Sequence, residues 1–131
     1  MKKLVVVQII GKYFVCDENG VPDYNAIEAN IRLSEAAAIK LWDSGVIGCF
    51  TPHLNTRHFE FKAKAPEGNY KAFDAAILVK ACDAILRLPN WVNSAGSKEE
   101  VKICETKGIP IFDDADELIA WAKKKIKGES A

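Results

Sequence analysis

Leu4-Val5-Val6-Val7-Gln8-Ile9-Ile10 is a continuous β-branched and aliphatic run just long enough for one strand. A strand that is apolar on both faces belongs in a sheet covered on both sides, the setting of parallel sheets rather than of half-solvated antiparallel ones. The run is too short to span a bilayer and carries no cleavage signature of a secretory leader, so the sequence predicts a cytoplasmic protein.

Outward from that strand, strand and helix patterns alternate. Gly11 to Asp23 holds Gly11, Asn19-Gly20 and Pro22, turn formers that keep it irregular. From Tyr24 to Ser44, Ile27, Ile31, Ala38 and Leu41 recur at helical spacing, with Asp23 placed to cap the start and Gly45 to close the end. Val46 to Thr51 is a second strand, and Pro52 to Asn69, lacking periodicity, is a second long loop. Tyr70 to Lys80 is a second helix with Phe73, Ile77 and Leu78 facing inward, followed by a strand Ala84 to Leu88 and a loop Pro89 to Ala95. A third helix begins near Ser97 and runs to about Lys107, where Gly108 ends it. Ile109 to Phe112 is a fourth strand, and Asp113 or Asp114 opens a final helix through Lys125.

Alternation of this kind implies right-handed crossovers. The expected fold is α/β: a three-layer sandwich with a flavodoxin- or Rossmann-like parallel sheet of four to five strands, helices on both faces, and a single domain over residues 1–131. Its ligand crevice should lie beyond the carboxyl ends of the strands.

Composition narrows the function classes. The chain is 49% hydrophobic and 27% charged, with 18 basic residues matched by 18 acidic ones, so no overall field favours a nucleic-acid polymer or a membrane surface. The Lys123 to Lys127 run reads as a solvated helix end favoured by the helix dipole. Cysteines at 16, 49, 82 and 104 are scattered without a Cys-x-x-Cys pair and read as buried, reduced thiols. Cys49, His53 and His58 match no zinc spacing, and no metal or organic cofactor is expected.

Three segments should meet at the carboxyl edge of the sheet: Gly11-Lys12-Tyr13, Pro52-His53-Leu54-Asn55-Thr56, and Asn90 to Glu100. In the third, Ser94, Gly96 and Ser97 lie around a helix start whose unpaired amides suit a phosphate or another anion.

An ordered set of residues carries a resemblance: Asp74, Asp83 within Ala81-Cys82-Asp83-Ala84-Ile85, the loop Asn90-Trp91, then Ser94-x-Gly96-x-x-x-Glu100. In this order they resemble the nucleoside 2-deoxyribosyltransferase-like superfamily, which includes nucleotide N-glycosidases and a large uncharacterised branch. The Asn30 to Trp42 helix with Gly45 and the Pro52 to Thr56 turn look like that uncharacterised branch. The resemblance implies cleavage or transfer at the N-glycosidic bond of a nucleoside or nucleotide, with Glu100 as nucleophile and Asp74 assisting the sugar hydroxyls or the departing base. It also implies a homodimer or larger assembly. Ser94 and Gly96 would hold a 5′-phosphate or sugar hydroxyl, Gly11 and Lys12 would close from the first loop, and Tyr13, His53 and Trp91 would flank the base. The first loop, Ile10-Gly11-Lys12-Tyr13-Phe14, departs from the family in lacking both the Gly- and Arg-rich phosphate loop of the nucleotide N-glycosidases and the Gly-Pro turn of the uncharacterised branch.

Plainer readings stand beside these. Ser97-Lys98-Glu99-Glu100 fits a capping box, in which Glu100 would bond back to Ser97. Asp74 fits the polar face of a helix, Asp83 a turn cap, and His53 a loop anchor. The whole chain would then be a nucleotide or phosphosugar binding module, or a scaffold subunit.

Overall fold

The computed structural model describes residues 2–130, and the side chains of residues 2–128. Its four strands are β1 (Val5–Ile10), β2 (Ile47–Phe50), β3 (Ala84–Arg87) and β4 (Ile111–Phe112). They form one parallel sheet in the order β2-β1-β3-β4. The helices are α1 (Tyr24–Asp43), α2 (Pro52–Asn55), α3 (Glu67–Ala81), α4 (Ala95–Lys107) and α5 (Ala115–Ser130), with 3₁₀ turns at Phe59–Phe61 and Pro89–Asn93. The α/β sandwich with four parallel strands is therefore observed.

β1 is the central strand, and its alternation sorts the two cores. Val5, Val7 and Ile9 join Ala38 and Leu41 of α1 and Leu118 and Ala122 of α5 in one cluster. Ile10 joins Ile85, Leu78 of α3 and Val101 and Cys104 of α4 in the other. Gln8 is the polar residue in this strand, and it is completely buried.

Local chemistry explains most boundaries. The Asp23 side chain accepts the Ala26 N–H at the start of α1, and Gly45, at φ 79°, receives the chain beyond its end. Asp114 accepts from the N–H groups of Asp116 and Glu117 and so opens α5.

Four expectations need correction. The segment from Pro52 to Asn69 is not uniformly a loop: Pro52, with its fixed φ, starts the single-turn α2, and a 3₁₀ turn follows. α3 begins at Glu67 rather than Tyr70, because Pro66 sets an extended residue ahead of it. Phe73 faces outward, about half exposed, leaving Leu78 as the fully buried α3 side chain. Among the cysteines, all free, Cys104 is buried, Cys49 and Cys82 are partly buried, and Cys16 is exposed in the first loop.

Truncating Leu41, which is fully enclosed, should cost about 3 kcal/mol in a Leu41→Ala protein through lost transfer energy and a residual cavity. Asp23→Ala should cost about 1 kcal/mol through the lost cap. Urea unfolding of the two variants checks both values and their order.

Candidate functional site

The structure sorts the expected site residues into two groups. The first lies between α3, α4 and the face of β1 that carries Gln8. Gln8 Nε2 donates to Glu100 Oε2 at 2.7 Å, and the Cys82 thiol donates to Gln8 Oε1 at 3.7 Å. Asp74 on α3 lies close enough for its charge to act on Glu100. Burial, followed by that like charge, pushes the Glu100 carboxyl up to about 7, and the Gln8 hydrogen bond pulls the other way. Burial likewise raises Asp74 to about 6. Two half-buried carboxyls thus hold protons into the neutral range, the condition for acid–base work near pH 7. Phe50 is paired with Gln8 across the β1–β2 ladder and meets Phe73 edge to face, with ring centroids 6.3 Å apart, so an aromatic wall flanks this face.

The capping-box reading of Glu100 is overturned. α4 starts two residues before Ser97, and Ser94 is its cap, accepting the Ser97 N–H at 3.1 Å. Glu100 therefore sits in the second turn, where its carboxylate turns toward the sheet. Asp83 takes its structural role: it accepts the Val6 N–H at 2.9 Å and ties the start of β3 to β1.

The second group is the loop cluster at the carboxyl edge. Lys12 N–H donates to Asn90 Oδ1, and the Lys12 carbonyl accepts from His53 Nε2 at 3.1 Å. Burial lowers the His53 pKa and keeps the ring neutral, which makes it an anchor between the first two loops. The Tyr13 hydroxyl donates to the Glu60 carboxylate at 2.8 Å and accepts the His58 N–H at 2.8 Å. Glu28 on α1 gathers His58 and Arg57, whose hydrogen bonds, His58 first, hold its carboxyl below the usual range. A Cβ on Gly11 would lie 2.8 Å from Leu88 Cδ1 and 3.0 Å from Asn90 Oδ1, so a larger residue here would push the Leu88 and Asn90 side chains aside where the first and third loops touch.

The remaining candidates fall at the margins. Ser94 is engaged as a cap, Gly96 lies beside it in the first turn of α4, and Ser97 is buried with its N–H already bonded. Arg87 covers one face of Trp91, its guanidinium carbon 4.4 Å from the ring centroid, and Asn55 is exposed at the end of α2. Gln8 and Cys82 did not emerge as site residues from the sequence. The one available signal was a glutamine inside an otherwise aliphatic central strand.

The sequence matches the family described as "Domain of unknown function (DUF4406)" over residues 13–113, and the chain belongs to that family. Asp74, Cys82 and Glu100 fall within the matched span, whereas Gln8 precedes it. No curated protein and no solved structure matches the chain.

Because Asp74 and Glu100 keep their protons to higher pH when folded, the folded state binds more protons than the unfolded state between their ordinary pKa values and about 6 and about 7. Stability should therefore fall as pH rises through that window. Glu100→Gln removes about half of the loss, roughly 3 kcal/mol for a carboxyl raised from 4.5 to about 7, and should be at least as stable as wild type at about pH 8, by urea unfolding.

Proposed function

We propose that this member of the DUF4406 family cleaves or transfers the N-glycosidic bond of a nucleoside or nucleotide, with Glu100 as the attacking carboxylate and Asp74 as its acid partner. The observation that carries this reading is two partly buried carboxyls on different helices, raised to about 7 and about 6, with Asp74 near enough for its charge to act on Glu100.

Breaking a bond between an anomeric carbon and a base nitrogen develops positive charge on the sugar, which a carboxylate a few ångströms away stabilises or traps. In the proposed sequence, an oxygen of ionised Glu100 bonds to the anomeric carbon as the carbon–nitrogen bond breaks. The electron pair of that bond passes to the base, which takes the proton held by Asp74. Water, or a second base, then attacks the anomeric carbon and gives its proton to the Asp74 carboxylate as the bond to Glu100 breaks and Glu100 leaves as a carboxylate. With Glu100 at about 7 and Asp74 at about 6, a singly protonated pair holds its proton mostly on Glu100; the reacting arrangement, with Glu100 ionised and the proton on Asp74, is the minor form of that pair, from which the step proceeds. Phe50 and Phe73 offer apolar surface for the flat face of a base.

The scaffold and binding-module readings gain less from this geometry. Neither accounts for two neighbouring carboxyls placed where burial disfavours their charge, and at the start of α4 the Ser97 amide is already taken by Ser94.

Incubation of wild type with nucleosides and nucleoside 5′-monophosphates should release free base, read by chromatography. Glu100→Gln should lower the rate by roughly a hundredfold or more and Asp74→Asn by roughly tenfold or more, the range expected for positioned nucleophiles and acids. Absence of release from every substrate by folded wild type would overturn the reading.

A further inference from the structure

We propose that Gln8 is the positioning residue of this site: its side-chain amide, oriented by the Cys82 thiol, holds Oε2 of Glu100 and leaves Oε1 as the oxygen that reacts. The inference rests on Glu100 being the reacting carboxylate, and adds which of its oxygens is presented and what aims it.

Gln8 lies in the middle of the central strand and is completely buried, in a position that a valine or isoleucine would fill without polar cost. A buried primary amide with unmet partners is destabilising. Here both ends are met. Cys82, at the C-terminal end of α3, donates to Oε1 at 3.7 Å, and Nε2 donates to Glu100 Oε2 at 2.7 Å. The ionised carboxylate and the thiol together set the sense of the amide: flipped, its carbonyl oxygen would face the carboxylate, acceptor against acceptor, and the thiol S–H would lose its acceptor. An amide nitrogen only donates, so it bonds an unprotonated carboxyl oxygen. Oε2 is therefore the tethered oxygen of the ionised, reacting form, and the anomeric carbon is taken up at Oε1.

The tether also acts on the charge of Glu100. Asp74 from α3, Gln8 from β1 and Glu99 from α4 act on this carboxyl, whose own charge acts in turn on the thiols of Cys82, just after α3, and Cys104 on α4. Burial has pushed the Cys82 thiol up to about 12 and the Cys104 thiol up to about 11, so both stand there as neutral groups. Gln8 thus supplies a donor that favours the ionised form, while burial and Asp74 oppose it.

The test follows the Glu100 carboxyl carbon by NMR in protein labelled with ¹³C-glutamate, the resonance being assigned by its loss in Glu100→Gln. Gln8→Met keeps the length and apolar bulk of the side chain and removes the donor; Glu100 should then titrate at a clearly higher pH than in wild type. Cys82→Ala should shift the titration in the same direction by less, because the amide is no longer oriented. In turnover, Gln8→Met should lower kcat roughly tenfold with KM changed less than about twofold, and move the pH profile with the NMR titration. A Glu100 titration in Gln8→Met identical to wild type would overturn the proposal; so would an unchanged titration in Cys82→Ala, which decides the matter even where Gln8→Met fails to fold. Failure of wild type to release base from any substrate would sink the glycosidic reading alone, and the titration would still decide the role of Gln8.

Discussion

Enclosure of β1 on both faces is the constraint from which the rest of the molecule follows. Its backbone is bonded to β2 on one side and β3 on the other, and its side chains meet α1 and α5 below and α3 and α4 above. A strand held in this way has no solvent-facing positions to spare, so any polar side chain placed there needs a partner delivered from another element. Gln8 is that side chain, and the partner arrives from the second turn of α4. The candidate site is thus built into the packing of the sheet rather than added on mobile loops, an arrangement that favours accurate geometry over adaptability.

Location inside the packing has an energetic consequence. Glu100 and Asp74 are held where their charged forms are disfavoured by burial, and Glu100 also by its neighbour's charge. Such an arrangement lowers stability at neutral pH relative to an apolar or amide substitution, and sites that do chemistry are the usual places where that cost is tolerated.

How much was legible in the sequence depended on whether the deciding interaction was local. The Val-rich run, the Asp23 cap, Gly45 and Gly108 act within a few residues, and the sheet with its flanking helices could be read from them. Pro66 as the start of α3 and Ser94, not Ser97, as the cap of α4 were missed because several nearby residues could serve equally in the sequence. The carboxyl pair was reached through spacing and resemblance, but the bond from Gln8 to Glu100 joins residues far apart in the chain, and no local pattern announces it. The environment of Tyr13 was hidden for the same reason: its partners His58 and Glu60 lie in a segment whose irregular pattern reads as plain loop.

The parallel register has a further consequence for how the chain must assemble. Val7 pairs with Ala84 and Val5 with Ile47, so the most apolar segment is made first and its partners much later. Contacts of such long sequence separation give a high contact order, which slows folding and lengthens the time during which an unpaired hydrophobic strand is open to other chains. During synthesis, β1 cannot complete its pairing until β3 has left the ribosome, and until then one edge of its backbone has no strand to bond.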